Sequence, residues 1–214
     1  MSTKKERKLS AAEQRRKEKF LEKCSTMETE GYRMENLSFS VLQINLLSVF
    51  IALPVNFLFV FLYFLFNDFS LRSVYLPYAP LLFLLIFLLL IVVHEAIHGI
   101  TWGYFAPDGR KSIEYGVIWQ ALTPYCTCSS PLTKKQYFWG ALMPTIILGF
   151  LPGIIAIITG WEPLFLLSQF MILAGAGDFL IVARLLLHRP KNAQVIYLDH
   201  PYECGLVAFL KNID

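Results

Sequence analysis

Two histidines and a glutamate stand at a spacing that can do chemistry: His94-Glu95-Ala96-Ile97-His98, a His-Glu-x-x-His pattern. On a helix, positions i and i+4 share one face a turn apart, so both imidazoles can hold a single zinc ion. Glu95 projects beside them, placed to take a proton from an attacking water. Zinc lowers the pKa of such a water towards about 7, which supplies a nucleophile at neutral pH. The chemistry implied is metal-assisted hydrolysis. A catalytic zinc normally has three protein ligands, so one more must come from another part of the chain.

The elements that must position these groups are apolar. Of 214 residues, 56% are hydrophobic and 16% charged, against about 25% charged in a soluble domain. This balance excludes intrinsic disorder and a disulfide scaffold and argues against an ordinary soluble enzyme. Residues 1–36 hold ten of the nineteen Lys/Arg and seven of the sixteen Asp/Glu. Beyond them, four apolar stretches are long enough to cross a bilayer, which takes about 20 residues: 43–66, 80–104, 137–159 and 164–187. Pro54, Pro144 and Pro152 fall inside these spans and read as kinks, tolerated because neighbouring helices can satisfy the freed backbone groups. The trio lies in the second span, where ionisable groups are costly and mark function.

The fourth span offers a third ligand. Asp178 is the only acidic residue within spans three and four, eleven residues before Arg189; His94 lies ten residues before Tyr104, at the matching end of span two. At 1.5 Å per residue the two depths agree to within about a turn. The small residues Ala174-Gly175-Ala176-Gly177 allow close helix approach. His200, in Asp199-His200-Pro201 beyond the last span, is an alternative that could fold back; Glu203 could do likewise, and His188, Glu114 and Asp108 are weaker candidates.

The flanks set the expected orientation. The N-terminal arm, the loop 105–136 and the segment after span four carry the basic residues, whereas 67–79 has only Arg72 and 160–163 has none. By the positive-inside rule both ends are cytoplasmic. The arm does not read as a signal peptide; it reads either as an exposed helix lying on the membrane or as a cytoplasmic tail. Cys24, Cys126, Cys128 and Cys204 read as free thiols, since the spacing of Cys126 and Cys128 is poor for a structural zinc site. In the loop after the trio, the chain alternates partly, with Ile113, Tyr115, Val117 and Trp119 on one side, before Thr123-Pro124-Tyr125 breaks the pattern. This is strand periodicity, read as a short hairpin near the site, the alternative being a plain connecting loop. An exposed strand edge there could bind an extended peptide.

These motifs resemble the bacterial zincin-peptidase membrane family and, more distantly, the site-2 protease group of intramembrane metalloproteases. The resemblance rests on His94-Glu95-Ala96-Ile97-His98-Gly99, Tyr115–Tyr125 with Cys126, Pro144, Gly177-Asp178 and Asp199-His200-Pro201, and covers roughly residues 85–210. It implies His94, His98 and Asp178 as zinc ligands and Glu95 as the general base. Site-2 proteases carry Asp-Gly at the third ligand, whereas this chain has Gly177-Asp178-Phe179.

The expected molecule is an all-α polytopic membrane protein of four transmembrane helices, with a short β-hairpin-like insertion between helices 2 and 3. It divides into an arm (1–36), a membrane metallopeptidase-like domain (37–190) and a cytoplasmic tail (191–214). The expected function is a zinc metallopeptidase of a bacterial cytoplasmic membrane. Its expected partners are a membrane-protein or peptide substrate and the lipid bilayer, with no nucleic acid. A catalytically silent scaffold and a metal-binding or transport protein are the alternatives. A transporter should line a path with polar groups through several spans, and spans one and three offer few.

Overall fold

A computed structural model of the chain describes residues 9–68, 79–118 and 123–213. Arg72 of the first loop and Trp119 of the expected strand lie outside them. The chain is mostly helical. Helix α1 (Ala11–Thr29) starts at Ser10, whose hydroxyl accepts from the Glu13 N–H while the Glu13 carboxylate accepts from the Ser10 N–H. This reciprocal box satisfies two otherwise orphaned donors. Strand β1 (Arg33–Asn36) follows. Helix α2 (Val41–Phe66) opens on a second such box, Ser40 with Gln43, and α3 (Ala79–Phe105) carries the His-Glu-x-x-His trio. Both present large apolar side chains outward: Phe50 and Phe57 are each 72% exposed, a surface that suits lipid rather than water.

Strands β2 (Ile113–Ile118) and β3 (Thr123–Cys128) pair antiparallel between α3 and the next helix, with Tyr115 opposite Cys126. Helix α4 (Lys134–Thr145) is capped by Thr133 and Gln136, contains Pro144, and runs through a single π turn (Ile146–Phe150) into α5 (Leu151–Thr159). Gly160 closes α5 in the left-handed conformation, at φ 70°. Among the described residues three helices are thus long and apolar enough to cross a membrane: α2, α3 and the continuous α4–α5. The stretch expected as one straight fourth span is two helices, α6 (Glu162–Ala174) and α7 (Ala176–Leu187), bent by 49° at Gly175. The Gly-Ala-Gly sequence, read as a packing stripe, is the break itself.

The all-α expectation leaves out a sheet. Residues 193–212, within the expected tail, form β4 (Ala193–Asp199) and β5 (Leu206–Asn212), which pair with each other and with β1 in the order β1-β5-β4. Arg33 stands opposite Leu210, so the segment before the first membrane helix is hydrogen-bonded to the segment after the last. An isolated bridge between Leu132 and Tyr197 links this sheet to the segment between β3 and the next helix.

Strand β5 is buried along Leu206–Leu210 because both its faces are covered. Val207 and Phe209 pack on one side against Phe20, Cys24 and Met27, spaced four and three apart on one face of α1. Leu206, Ala208 and Leu210 pack on the other, with Trp102, Tyr137, Ala141, Val182 and Leu185 from the ends of α3, α4 and α7. The largest core of the molecule therefore lies where the helix bundle meets the sheet, beside the trio.

Candidate metal centre

His94 and His98 project from one face of α3 and are 5% and 4% exposed. Their Nε2 atoms converge to 3.2 Å. Asp178 comes to them from the first turn of α7, where its backbone N–H donates to the Gly175 carbonyl. The break at Gly175 makes this possible: it starts a new helix there, and a carboxylate in a first turn is favoured by the helix dipole. Gly175 itself is pressed against α4, since a Cβ there would stand 2.1 Å from Thr145 Oγ1. Asp178 Oδ2 lies 3.1 Å from His94 Nε2 and 3.4 Å from His98 Nε2. The sequence-expected ligands are thus within reach of one another.

These distances test whether zinc fits. Four ligands at bonds of about 2.0–2.1 Å in a tetrahedron stand roughly 3.3 Å apart. The three edges found, 3.1, 3.2 and 3.4 Å, match that spacing. The proton inventory agrees. His98 Nδ1 lies 2.8 Å from the Gly140 carbonyl, which can only accept, so Nδ1 carries a proton and Nε2 is the ring atom turned to the cluster. His94 Nδ1 is buried without a hydrogen-bond partner among the described residues. Metal-binding histidines commonly donate their outer N–H to a carbonyl as His98 does. The site fits the ion.

Glu95 belongs to the same cluster: one ligand-type atom from each of His94, Glu95 and His98 lies within 4.8 Å of the others. Its carboxylate is turned to the backbone N–H of Cys126 on β3. His200 is not brought to the cluster. Its Nδ1 accepts from the Glu203 N–H at 3.0 Å and its Nε2 faces the Glu203 carboxylate at 3.6 Å, so both ring nitrogens are engaged at the pocket rim. Burial pushes the His200 imidazole below its ordinary pKa.

Glycines let these elements approach. A Cβ at Gly99 would fall 1.9 Å from the Tyr115 hydroxyl, and one at Gly140 would fall 1.9 Å from the Trp102 ring. Trp102 is therefore free to stack on His98, with ring centroids 5.0 Å apart and planes 15° from parallel. These residues gave no chemical signal in the sequence, because their role is to leave room or to lend a backbone atom.

A cavity of about 260 Å³ opens onto the cluster, bordered by Glu13 and Arg16 of α1, Cys126, Tyr137, Asp199 and the 200–205 turn. Arg16 ties three segments together at its mouth: Nε donates to the Pro201 carbonyl at 2.9 Å, and Nη1 donates to Glu114 and to the Tyr125 hydroxyl. Asp199 stands deeper. It accepts from the Cys128 N–H at 2.6 Å and from the Tyr137 hydroxyl, yet burial outweighs both and pushes its carboxyl up to about 6. Burial likewise pushes the Cys128 thiol up to about 11 and holds the Cys126 thiol well above its ordinary value. All four cysteines are free thiols.

No curated protein and no solved structure matches the chain. One protein-family model does match, over residues 87–194, half of the chain. That segment carries both histidines, Glu95 and Asp178. The chain whose buried histidines, glutamate and aspartate form this cluster belongs to the family described as "putative zincin peptidase".

Proposed function

We propose that the protein is a membrane-embedded zinc metallopeptidase that hydrolyses peptide bonds of membrane or membrane-proximal polypeptides, with His94, His98 and Asp178 as ligands and Glu95 as general base. The observation that carries this reading is the near-tetrahedral spacing of the three ligand atoms beside a glutamate. Family membership supports the metallopeptidase class. The placement of Asp178 on a later membrane helix supports the likeness to site-2 proteases.

Zinc bound here would polarise the scissile carbonyl and make a water acidic enough to attack it. Glu95 takes the proton of the attacking water and passes it to the leaving amine. Asp178 supplies the negative charge that offsets the cation in a buried site. His98 keeps its Nδ1 proton on the Gly140 carbonyl, which holds its other nitrogen inward. The outer edge of β3 suits an extended substrate. Pro124 has no N–H, and the Cys126 and Cys128 N–H groups meet the carboxylates of Glu95 and Asp199 rather than a neighbouring strand. A peptide laid along this edge would exchange with those carboxylates for backbone hydrogen bonds.

Parity supports four crossings. The pairing of β1 with β5, the Leu132–Tyr197 bridge and the Cys128–Asp199 bond join all five strands into one group. If that group lies on one side of the membrane, an even number of crossings separates β1 from β2, and β3 from β4. Helices α2 and α3 would supply the first two, and α4–α5 with the bent pair α6–α7 the second two. The basic residues gathered at the strand end support a cytoplasmic location for it and for both ends of the chain.

The test is metal content with cleavage. Wild-type protein purified in detergent should hold about one zinc per chain and cut a membrane peptide. Glu95→Gln should keep the zinc and lose cleavage by at least about 10²-fold. Asp178→Ala should weaken zinc binding more than about 100-fold, beyond what loss of an outer-shell partner costs. A zinc-free wild type would overturn the reading, and a zinc-loaded wild type that cuts nothing would leave a silent scaffold.

A further inference from the structure

The carbonyl that orients His98 belongs to Gly140, in the interior of α4. A carbonyl there is ordinarily spent on the N–H four residues ahead. Four residues ahead of Gly140 stands Pro144, which has no N–H. The ring of a helix proline also crowds the carbonyl four residues back and tilts it outward. Gly140 O is thus left without its regular helical donor, and His98 Nδ1 reaches it at 2.8 Å. The absence of a Cβ at 140 admits the Trp102 ring, which covers the other side of His98. A π turn begins two residues after Pro144, so the irregular bonding continues downstream until α5 resumes the regular helix at Leu151.

We propose that Pro144 is a positioning residue for the metal centre: by withholding a backbone N–H it frees the Gly140 carbonyl to fix the tautomer and ring orientation of His98. Pro54 shows the contrast within the same protein: it also interrupts a membrane helix, but on α2, away from the cluster. The inference rests on the zinc reading for its consequence, not for its geometry, which is that of the protein alone.

The role separates cleanly from a structural one, because the two predict opposite things. A proline inside a helix costs stability, so Pro144→Ala should leave the fold as stable or more stable. The new N–H at residue 144 would nevertheless compete for the Gly140 carbonyl and release His98. Zinc affinity should then fall about 10–100-fold, the usual effect of losing a ligand's outer partner. Pro144→Gly restores the same N–H while lowering helix propensity, so it should weaken zinc equally with no gain in stability. Pro54→Ala should leave zinc affinity unchanged.

Full-length protein in detergent is titrated with zinc against a competing chelator, and its melting is followed in parallel. The metal-free protein with ¹⁵N-labelled histidine is examined by NMR. The His98 Nδ1–H should be hydrogen-bonded in the wild type and lose that bond in both Pro144 variants. Unchanged zinc affinity with an unchanged Nδ1–H signal in Pro144→Ala would overturn the proposal, as would a loss of affinity confined to Pro144→Gly. Failure of the peptidase reading alone would appear as absent cleavage with the change in the Nδ1–H signal intact.

Discussion

At the residue scale, the centre is a conflict that a cation resolves. Two imidazole nitrogens stand 3.2 Å apart, and His98 has its proton on the far side of the ring. Asp178 Oδ2 closes a triangle with them at 3.1 and 3.4 Å, and one cation at its centre can meet all three inward atoms. Small residues carry this convergence as much as the ligands do. Gly175→Ala would drive a methyl group to 2.1 Å from Thr145 Oγ1, with Thr145 fully buried and its Cγ2 at 3.5 Å leaving no free rotation. We expect a loss of about 1–3 kcal/mol, the usual cost of overpacking, read as a lower melting temperature. His94, Glu95 and His98 were legible in sequence because their spacing is chemical. Asp178 was legible because it is the lone acid at a matching depth. Gly140, Trp102 and Asp199 were not, because a carbonyl, a ring face and a hydrogen bond across 62 residues leave no local pattern.

At the element scale, the strand end holds a titratable link. Asp199 joins β4 to β3 through the Cys128 N–H and to α4 through Tyr137. Its carboxyl sits at about 6 in the folded protein, above the ordinary 3.8. The folded state therefore binds this proton more tightly than the unfolded chain does. The contribution is fully present below pH 3.8 and is lost as pH rises through 6, about 3 kcal/mol in all. Asp199→Asn cannot titrate. The stability of the wild type relative to this variant should fall by about that amount between pH 4 and 7, measured by denaturation of both across the range. No pH dependence in that difference would mean that the carboxyl is solvated.

The elements themselves divide by how they are covered. Helices α2 and α3 expose large apolar side chains and announce themselves as long apolar runs. Strand β5 is buried on both faces, so Leu206–Leu210 lacks the alternation that marks a half-buried strand. Its neighbour β4 pairs in full register from Ala193 to Asp199, yet follows the last span closely enough to read as a tail. The break at Gly175 was visible as glycine but not as a bend, since small residues serve both close packing and helix termination.

At the scale of the whole molecule, the sheet constrains the membrane topology. Arg33 pairs with Leu210, so the segment before the first apolar stretch and the segment after the last meet in one sheet, and on the proposed four-crossing reading both face one side. Tags fused to the two ends should be cut together by a protease added to one face of sealed, oriented vesicles, and spared together from the other. Tags cut from opposite faces would remove the four-crossing reading.

The strand order has a consequence in time. β5 is last in chain order among the described elements and central in the sheet β1-β5-β4. Helix α1, made first, rests on side chains of β4 and β5 made last. Pairings this distant in sequence form slowly and only once both partners exist. In the order of synthesis the histidines and Asp178 therefore precede the last wall of their cavity, the 200–205 turn. On the proposed zinc reading, that interval is one in which an ion meets the site with this turn not yet in place.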